Sequence, residues 1–380
     1  MARPGTSNYA GISDDPHLID KSQLISHIIH EQSRDIMFLR PMRFGKSLQL
    51  HMVQCFFNGK EHGGWGKVVS FEDKKVWQDE EAREHYGAHP TIYINLITHK
   101  SKNMLEELDE YLCHEIMHSA SSFGDSKSYA DDKDTPEECL TSCADFLYEK
   151  TGNLPVLVFE EVHSFQEASS SYGSYNEVYE RMERLFIHII QNLKLYKCIF
   201  IGILPPSEDS ILTKACVIDN IFNPKYEDCF GFTPDEMKAV AGDAVDIDDY
   251  VSRCGGYRIG GSYLTPSWVF AVDVNDKFKF KTDNWAKNIR SSSAMDGPLT
   301  VEGVKDVIRE ILERGGSQAS VEKYADYTTA FSSVGTVLYY LVMAGYLTID
   351  LSSGTLYIPN SNLCKFWKFI IDEPESLDHL

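Results

Sequence analysis

Arg40-Pro41-Met42-Arg43-Phe44-Gly45-Lys46-Ser47 is the stretch on which the reading of this chain turns. A short apolar run, Ile36-Met37-Phe38-Leu39, leads into it. Behind it, apolar residues at 48, 52, 53, 55 and 56 recur at helical spacing, and Asn58-Gly59 supplies a stop. The element therefore reads strand, loop, helix. In a phosphate-binding loop, backbone N–H groups at a helix N-terminus face the anion, a lysine neutralises it, and a serine or threonine hydroxyl holds magnesium. Gly45, Lys46 and Ser47 suit those three roles. The opening glycine of the G-x-x-x-x-G-K-[ST] pattern is absent, because Arg40 stands five residues before Gly45.

The next informative stretch is Leu154-Pro155-Val156-Leu157-Val158-Phe159-Glu160-Glu161, an apolar strand ending in two carboxylates. Phosphoryl transfer needs one carboxylate to position magnesium, usually through water, and a neighbour to orient or deprotonate the attacking water. Ser47 and Glu160 are thus expected at the metal, with Glu161 catalytic. The bland reading, a strand ending in a solvated acidic turn, stands beside it. ATP and Mg2+ are the expected ligands.

Other apolar runs, Thr91–Leu96 and Cys198–Leu204, read as further buried strands. Helices are expected over Lys21–Glu31, Met104–Ser119, Pro136–Lys150 and Tyr175–Leu193. Exposed loops are expected around Gly63–Gly66, over Ser121–Thr135 and over Ala168–Tyr175. Thr233, Pro234 and Glu236 spell a capped helix start. From Leu299 two helices, Val301–Arg314 and Thr336–Ala344, precede a hairpin built from Tyr346–Leu351 and Thr355–Ile358. Helices followed by a two-stranded wing suggest a winged-helix module. Its first helix carries Glu302, Asp306, Glu310 and Glu313, which argues against DNA and for a lid or docking role.

Composition narrows the classes further. Fifty-seven acidic against 36 basic side chains leave a net charge of -21. Such a surface repels phosphate backbones and argues against direct nucleic-acid binding; it would suit docking on a protein with a basic surface. Nine cysteines lie scattered without metal-ligand pairs, as reduced thiols of a cytoplasmic protein would. No apolar run is long enough to span a bilayer.

These motifs together resemble the AAA-ATPase-like family. Residues 40–48 are similar to its R-P-R-R-F-G-K-S-L loop, with Met42 departing from the second arginine. Leu18-Ile19-Asp20-Lys21-Ser22-Gln23-Leu24-Ile25 is similar to its Y-[FV]-V-D-K-[ST]-x-L-I entry segment, and Pro90–Leu96 to its P-V-I-x-L-[DN]-[FL] strand. Residues 158–163 lie where the family has L-I-D-E-Y-D; Glu160 replaces the aspartate and His163 a later one. Phe230-Gly231-Phe232-Thr233, Gly255–Trp268, Gly345-Tyr346-Leu347-Thr348 and Ile358-Pro359-Asn360 resemble further family segments.

The resemblance implies an α/β fold: a P-loop NTPase parallel-sheet core, a helical lid and a C-terminal winged-helix-like module. The expected division is a loose arm over 1–16, the core over 17–232, the lid over 233–298 and the module over 299–380. It also implies nucleotide contacts from Arg40, Arg43, Phe44, Gly45, Lys46, Ser47 and Leu48. Arg258, in the Gly255–Trp268 segment, is read either as reaching a nucleotide phosphate or as a surface arginine. Function is expected as an ATP-driven switch with hydrolase activity. A degenerate pseudo-ATPase acting as an acidic scaffold is the alternative, favoured by Glu160, His163 and Leu204. Family members often carry a C-terminal nuclease domain; the chain ends at Leu380, so nuclease activity is not expected of it.

Overall fold

The computed structural model describes residues 7–59, 68–96, 104–124, 135–162, 164, 175–275 and 297–372. Five apolar runs form one sheet: β1 Asp35–Leu39, β2 Thr91–Asn95, β3 Val156–Glu160, β4 Lys197–Gly202 and β5 Val217–Asp219. Their order is β2-β3-β4-β1-β5, and all four pairings are parallel. Every residue of β1, β3 and β4 is buried. Helices cover both faces of such a sheet, which is why these strands read as continuous apolar runs and not as alternating ones.

The order has a consequence for the site. β4 separates β1 from β3, so the loop strand and the acidic strand lie two spacings apart, ~10 Å. Both strands run the same way and open at one edge, where ligands of parallel sheets sit.

The expected helices are present as Gln23–His30, Lys46–Asn58, Met104–Ser119, Pro136–Thr151 and Tyr175–Gln191. Thr135 is not part of an open loop: it caps the helix after it through a full capping box with Glu138. The segments 63–66, 125–134, 165–174 and His163 lie outside the described residues.

Residues 7–16 depart from the loose arm expected of them. They form turns, Tyr9 and Ala10 are buried, and Tyr9 stacks on Phe71 at 5.9 Å. The backbone N–H of Tyr9 donates to His51 Nδ1 at 2.6 Å. Composition pointed to disorder, but one aromatic anchor and one buried acceptor hold the segment against the helix after the loop.

Past β5 come helices Pro234–Ala241 and Ile247–Cys254, the antiparallel pair β6 Tyr257–Ile259 and β7 Ser262–Leu264, and helix Ser267–Asn275. The C-terminal part has helices Val304–Arg314 and Val334–Ala344, the antiparallel pair β8 Thr348–Asp350 and β9 Thr355–Tyr357, and helix Ser361–Asp372. Ser317 bridges to Leu356 beside that pair. Val337–Ala344 is buried along its whole length, so this helix packs inward.

Candidate nucleotide site

The loop between β1 and helix Lys46–Asn58 is built on two left-handed positions. Gly45 has φ 82°, and a Cβ there would lie 3.1 Å from Ser267 Oγ as well. Arg43 adopts φ 71°, where a side chain is strained. Among the described residues just one other non-glycine has positive φ: Glu161, at 56°. The two strained residues thus fall in the loop and at the end of β3, the two stretches singled out by the sequence. Strain of this kind clusters at functional sites because the surrounding packing must hold it.

Lys46 is nearly buried and curls back over the loop. Its Nζ donates to the carbonyls of Arg40 and Pro41, each at 3.3 Å, and lies 3.9 Å from Glu161 Oε1. Glu160 is buried at the end of β3. Tyr93 Oη and Asn95 Nδ2, both from the adjoining β2, donate to its Oε2, the latter at 3.0 Å. β2 and β3 pair Asn95 with Glu160 in register, which sets those donors beside the carboxylate. Burial pushes the Glu160 carboxyl up, while Ser47, Tyr93 and Lys46 pull the other way. Ser47 is near enough to favour the carboxylate, yet no well-formed hydrogen bond reaches the buried Oε1.

That orphaned oxygen tests the site for a cation. A buried carboxylate oxygen without a donor is costly, and a divalent ion between it and the Ser47 hydroxyl would satisfy it. The donor set is all oxygen, as magnesium prefers. The residues present fit the metal.

Three of the side chains expected at the nucleotide are engaged with other partners. Arg40 is fully buried: its guanidinium pairs with Asp219 Oδ2 at 2.6 Å and donates to the carbonyls of Leu39, Asp219 and Tyr226. It also lies 5.1 Å over the Phe230 ring. It ties the loop's start to β5 and is spent there. Phe44 is buried edge-on against Tyr257 at 5.1 Å. Arg258 pairs with Asp350 and stacks on Tyr357 at 4.3 Å, joining β6 to the β8–β9 pair. A guanidinium looks alike in sequence whether it meets phosphate or aspartate; these partners are 179 and 92 residues away.

Arg43 stays exposed and lies 4.7 Å over the Trp268 ring. Leu48 sits on the first turn of its helix and lines, with Gly45, a pocket against Ile19 and Phe232. At the end of β4, Leu204 is buried and offers no polar group to the site. The supports of Glu160 escaped the sequence reading, although Asn95 stands at the [DN] position of the strand motif quoted above.

A parallel sheet whose inner strand feeds a Gly-Lys-Ser turn at a helix start, with two carboxylates brought to the same edge, defines a P-loop nucleotide-binding fold. The family described as predicted AAA-ATPase matches residues 3–212, and the chain belongs to it. Among solved structures, a Walker-type ATPase of Pyrococcus abyssi aligns at 14% identity over 97% of this chain and 99% of that one, with a TM-score of 0.49. Cdc6p from Pyrobaculum aerophilum aligns at 10% identity over 93% and 92%, with a TM-score of 0.32. No curated protein matches. No described helix is long and apolar enough to cross a membrane.

Proposed function

We propose that the protein binds magnesium-ATP at Arg43–Leu48 and hydrolyses it, using the change to move the segments packed on the loop. The observation that carries this is the meeting of two stretches far apart in sequence: Glu160 lies near Ser47, and Glu161 Oε1 lies 3.9 Å from Lys46 Nζ. Lys46 would leave the Arg40 and Pro41 carbonyls to neutralise phosphate oxygens. Ser47 and Glu160 would hold the magnesium, which supplies positive charge against the phosphates. Glu161, strained at the strand end, is the residue placed to accept a proton from water.

Residues 299–372 support a winged-helix-like reading through their order of helix, bridge, helix and hairpin. The inward packing of Val337–Ala344 favours docking over groove reading, and the net charge of -21 favours a basic protein partner. One observation favours the second reading, a pseudo-ATPase: the buried, apolar Leu204 gives the end of β4 no polar contact to the phosphates.

Glu161→Gln tests the two against each other. It keeps shape and removes the proton acceptor, so ATP binding should persist while hydrolysis falls by about 10²–10⁴-fold. Lys46→Ala should weaken ATP binding by roughly ten- to hundredfold, from the loss of a charge-assisted contact. A wild type that binds ATP yet turns over no faster than a buffer blank overturns hydrolysis and leaves the holding scaffold. Calorimetry for binding and phosphate release for turnover supply both readouts.

A further inference from the structure

Helix Gln23–His30 and the turn over Tyr226–Cys229, far apart in sequence, bring three side chains of metal-binding type together. His27 supplies an imidazole nitrogen, Asp228 a carboxylate oxygen and Cys229 a sulfur, and these donor atoms all lie within 4.8 Å of one another. The turn is closed by the Cys229 N–H, which donates to Tyr226 O at 3.3 Å. It sets Cys229 Sγ 3.9 Å from Asp228 Oδ1. The His27 ring stacks on Tyr226 at 4.8 Å, which holds it over the same turn. Cys229 is buried, His27 half-buried and Asp228 exposed, so the group opens from the interior to solvent.

The three donors are not committed to other work. Among the described residues, no hydrogen bond engages either His27 ring nitrogen, and the Asp228 carboxylate accepts only from the Cys229 thiol. The neighbouring cations have partners of their own. Lys21 Nζ pairs with Glu236 at 2.7 Å and donates to the Asp228 main-chain carbonyl at 2.6 Å, while Lys225 pairs with Glu31. The turn itself is held from outside: Arg40 donates to Tyr226 O at 3.1 Å, as Lys21 does to Asp228 O. Ligands fixed in this way need little ordering when an ion arrives.

We infer that His27, Asp228 and Cys229 bind a divalent cation of the zinc class, which clips the first helix to the turn leading into Phe230-Gly231. Nitrogen, oxygen and thiolate donors together suit zinc. Magnesium prefers six oxygens, so this site is distinct from the all-oxygen pair of Ser47 and Glu160. A tetrahedral zinc with ligands at about 2.0–2.3 Å sets its donor atoms about 3.3–3.8 Å apart. Closing the group to that size takes a contraction of about 1 Å, which the exposed Asp228 side chain can supply. Water takes the fourth position. Cys229 binds as the thiolate and gives its proton to solvent. The ligands lie on two elements that unfolding separates, so the ion favours the folded chain.

The test strips the purified full chain with a chelator, then titrates it with zinc alone by calorimetry and with cobalt(II) by absorption. Zinc should bind stoichiometrically and raise the melting temperature as it is added. Cobalt should give the intense near-ultraviolet band of thiolate coordination. His27→Phe keeps a ring against Tyr226 and removes the nitrogens, and Asp228→Ala changes an exposed side chain. Each should weaken zinc by at least about ten- to hundredfold, since the loss of a mere outer-shell partner costs that much. Cys229→Ser should lose the thiolate band; should the buried serine prevent folding, the other two variants still decide. A wild type that takes up no stoichiometric zinc overturns the site. So does zinc affinity unchanged in both His27→Phe and Asp228→Ala, or a thiolate band that survives in Cys229→Ser, because each puts the ion elsewhere.

Discussion

Arg40 and Arg43 stand three residues apart in one loop and are put to opposite uses. Arg40 is sealed against Asp219, while Arg43 lies open over Trp268. Removing one partner of a buried pair strands the other charge, which costs about 3–5 kcal/mol. Arg40→Ala should therefore lower the denaturant midpoint markedly. Arg43→Ala, losing an exposed ring contact of about 0.5–1 kcal/mol, should change stability little and ATP affinity more. The reverse pattern would reject this division of roles. His51 carries a prediction about pH. Burial pushes its imidazole down to about 4, against a backbone contact from Ser7 that raises it. The neutral ring accepts from the Tyr9 N–H. An unfolded His51 takes its proton near pH 6.5, so the unfolded chain binds more protons between pH 6.5 and about 4. The stability tied to the neutral ring is full above pH 6.5 and is lost as pH falls towards 4, by at most ~3 kcal/mol. Melting curves at pH 7 and 5 should show a smaller drop for His51→Asn than for the wild type.

At the scale of elements, the motifs read in the sequence prove to be the parts that grip the loop. Gly231 has φ 79°, and a Cβ there would lie 2.8 Å from the Phe44 ring. Its N–H donates to Phe44 O at 3.2 Å. Gly345 abuts Pro41, and its carbonyl accepts from Tyr257 Oη at 3.0 Å. Lys21 in the entry segment pairs with Glu236 of the capped helix after Thr233. Asn360 donates to Gly255 O at 3.0 Å and caps the last helix through Leu363 N. Gly231→Ala meets both left-handed strain and a ring it cannot displace, and should cost about 1–3 kcal/mol. A midpoint unchanged from the wild type would show the Phe44 contact to be soft. The sheet, the loop and the acidic strand end were legible because each follows from local pattern: apolar runs, a glycine turn, paired acids. The side chains of Arg40, Phe44 and Arg258 are engaged with partners fixed by packing over long sequence distances, and a side chain's type does not name its partner.

At the scale of the whole molecule, the loop is bolted to the C-terminal half through its own backbone. Trp268 N–H donates to Arg43 O at 3.1 Å, Gly231 N–H donates to Phe44 O, and Arg40 N–H donates to Gly202 O of β4 at 3.1 Å. On the proposed reading, phosphates entering the loop would draw Lys46 off the Arg40 and Pro41 carbonyls, and so alter the peptide units that these bonds hold. A loop fixed in this way cannot change without loading Gly231, Trp268 and the turn at Gly345. Ligands that favour one arrangement of such a packed interface shift the whole of it, because packed contacts have discrete states. Hydrogen exchange measured with and without magnesium-ATP should therefore slow at the Gly231 and Trp268 amides and within Val334–Ala344. The helix Pro136–Thr151, which precedes β3, should exchange unchanged. Lys46→Ala should abolish the difference. Protection confined to residues 40–48 would mean that nucleotide is held without being transmitted, and the switch reading would then give way to the scaffold.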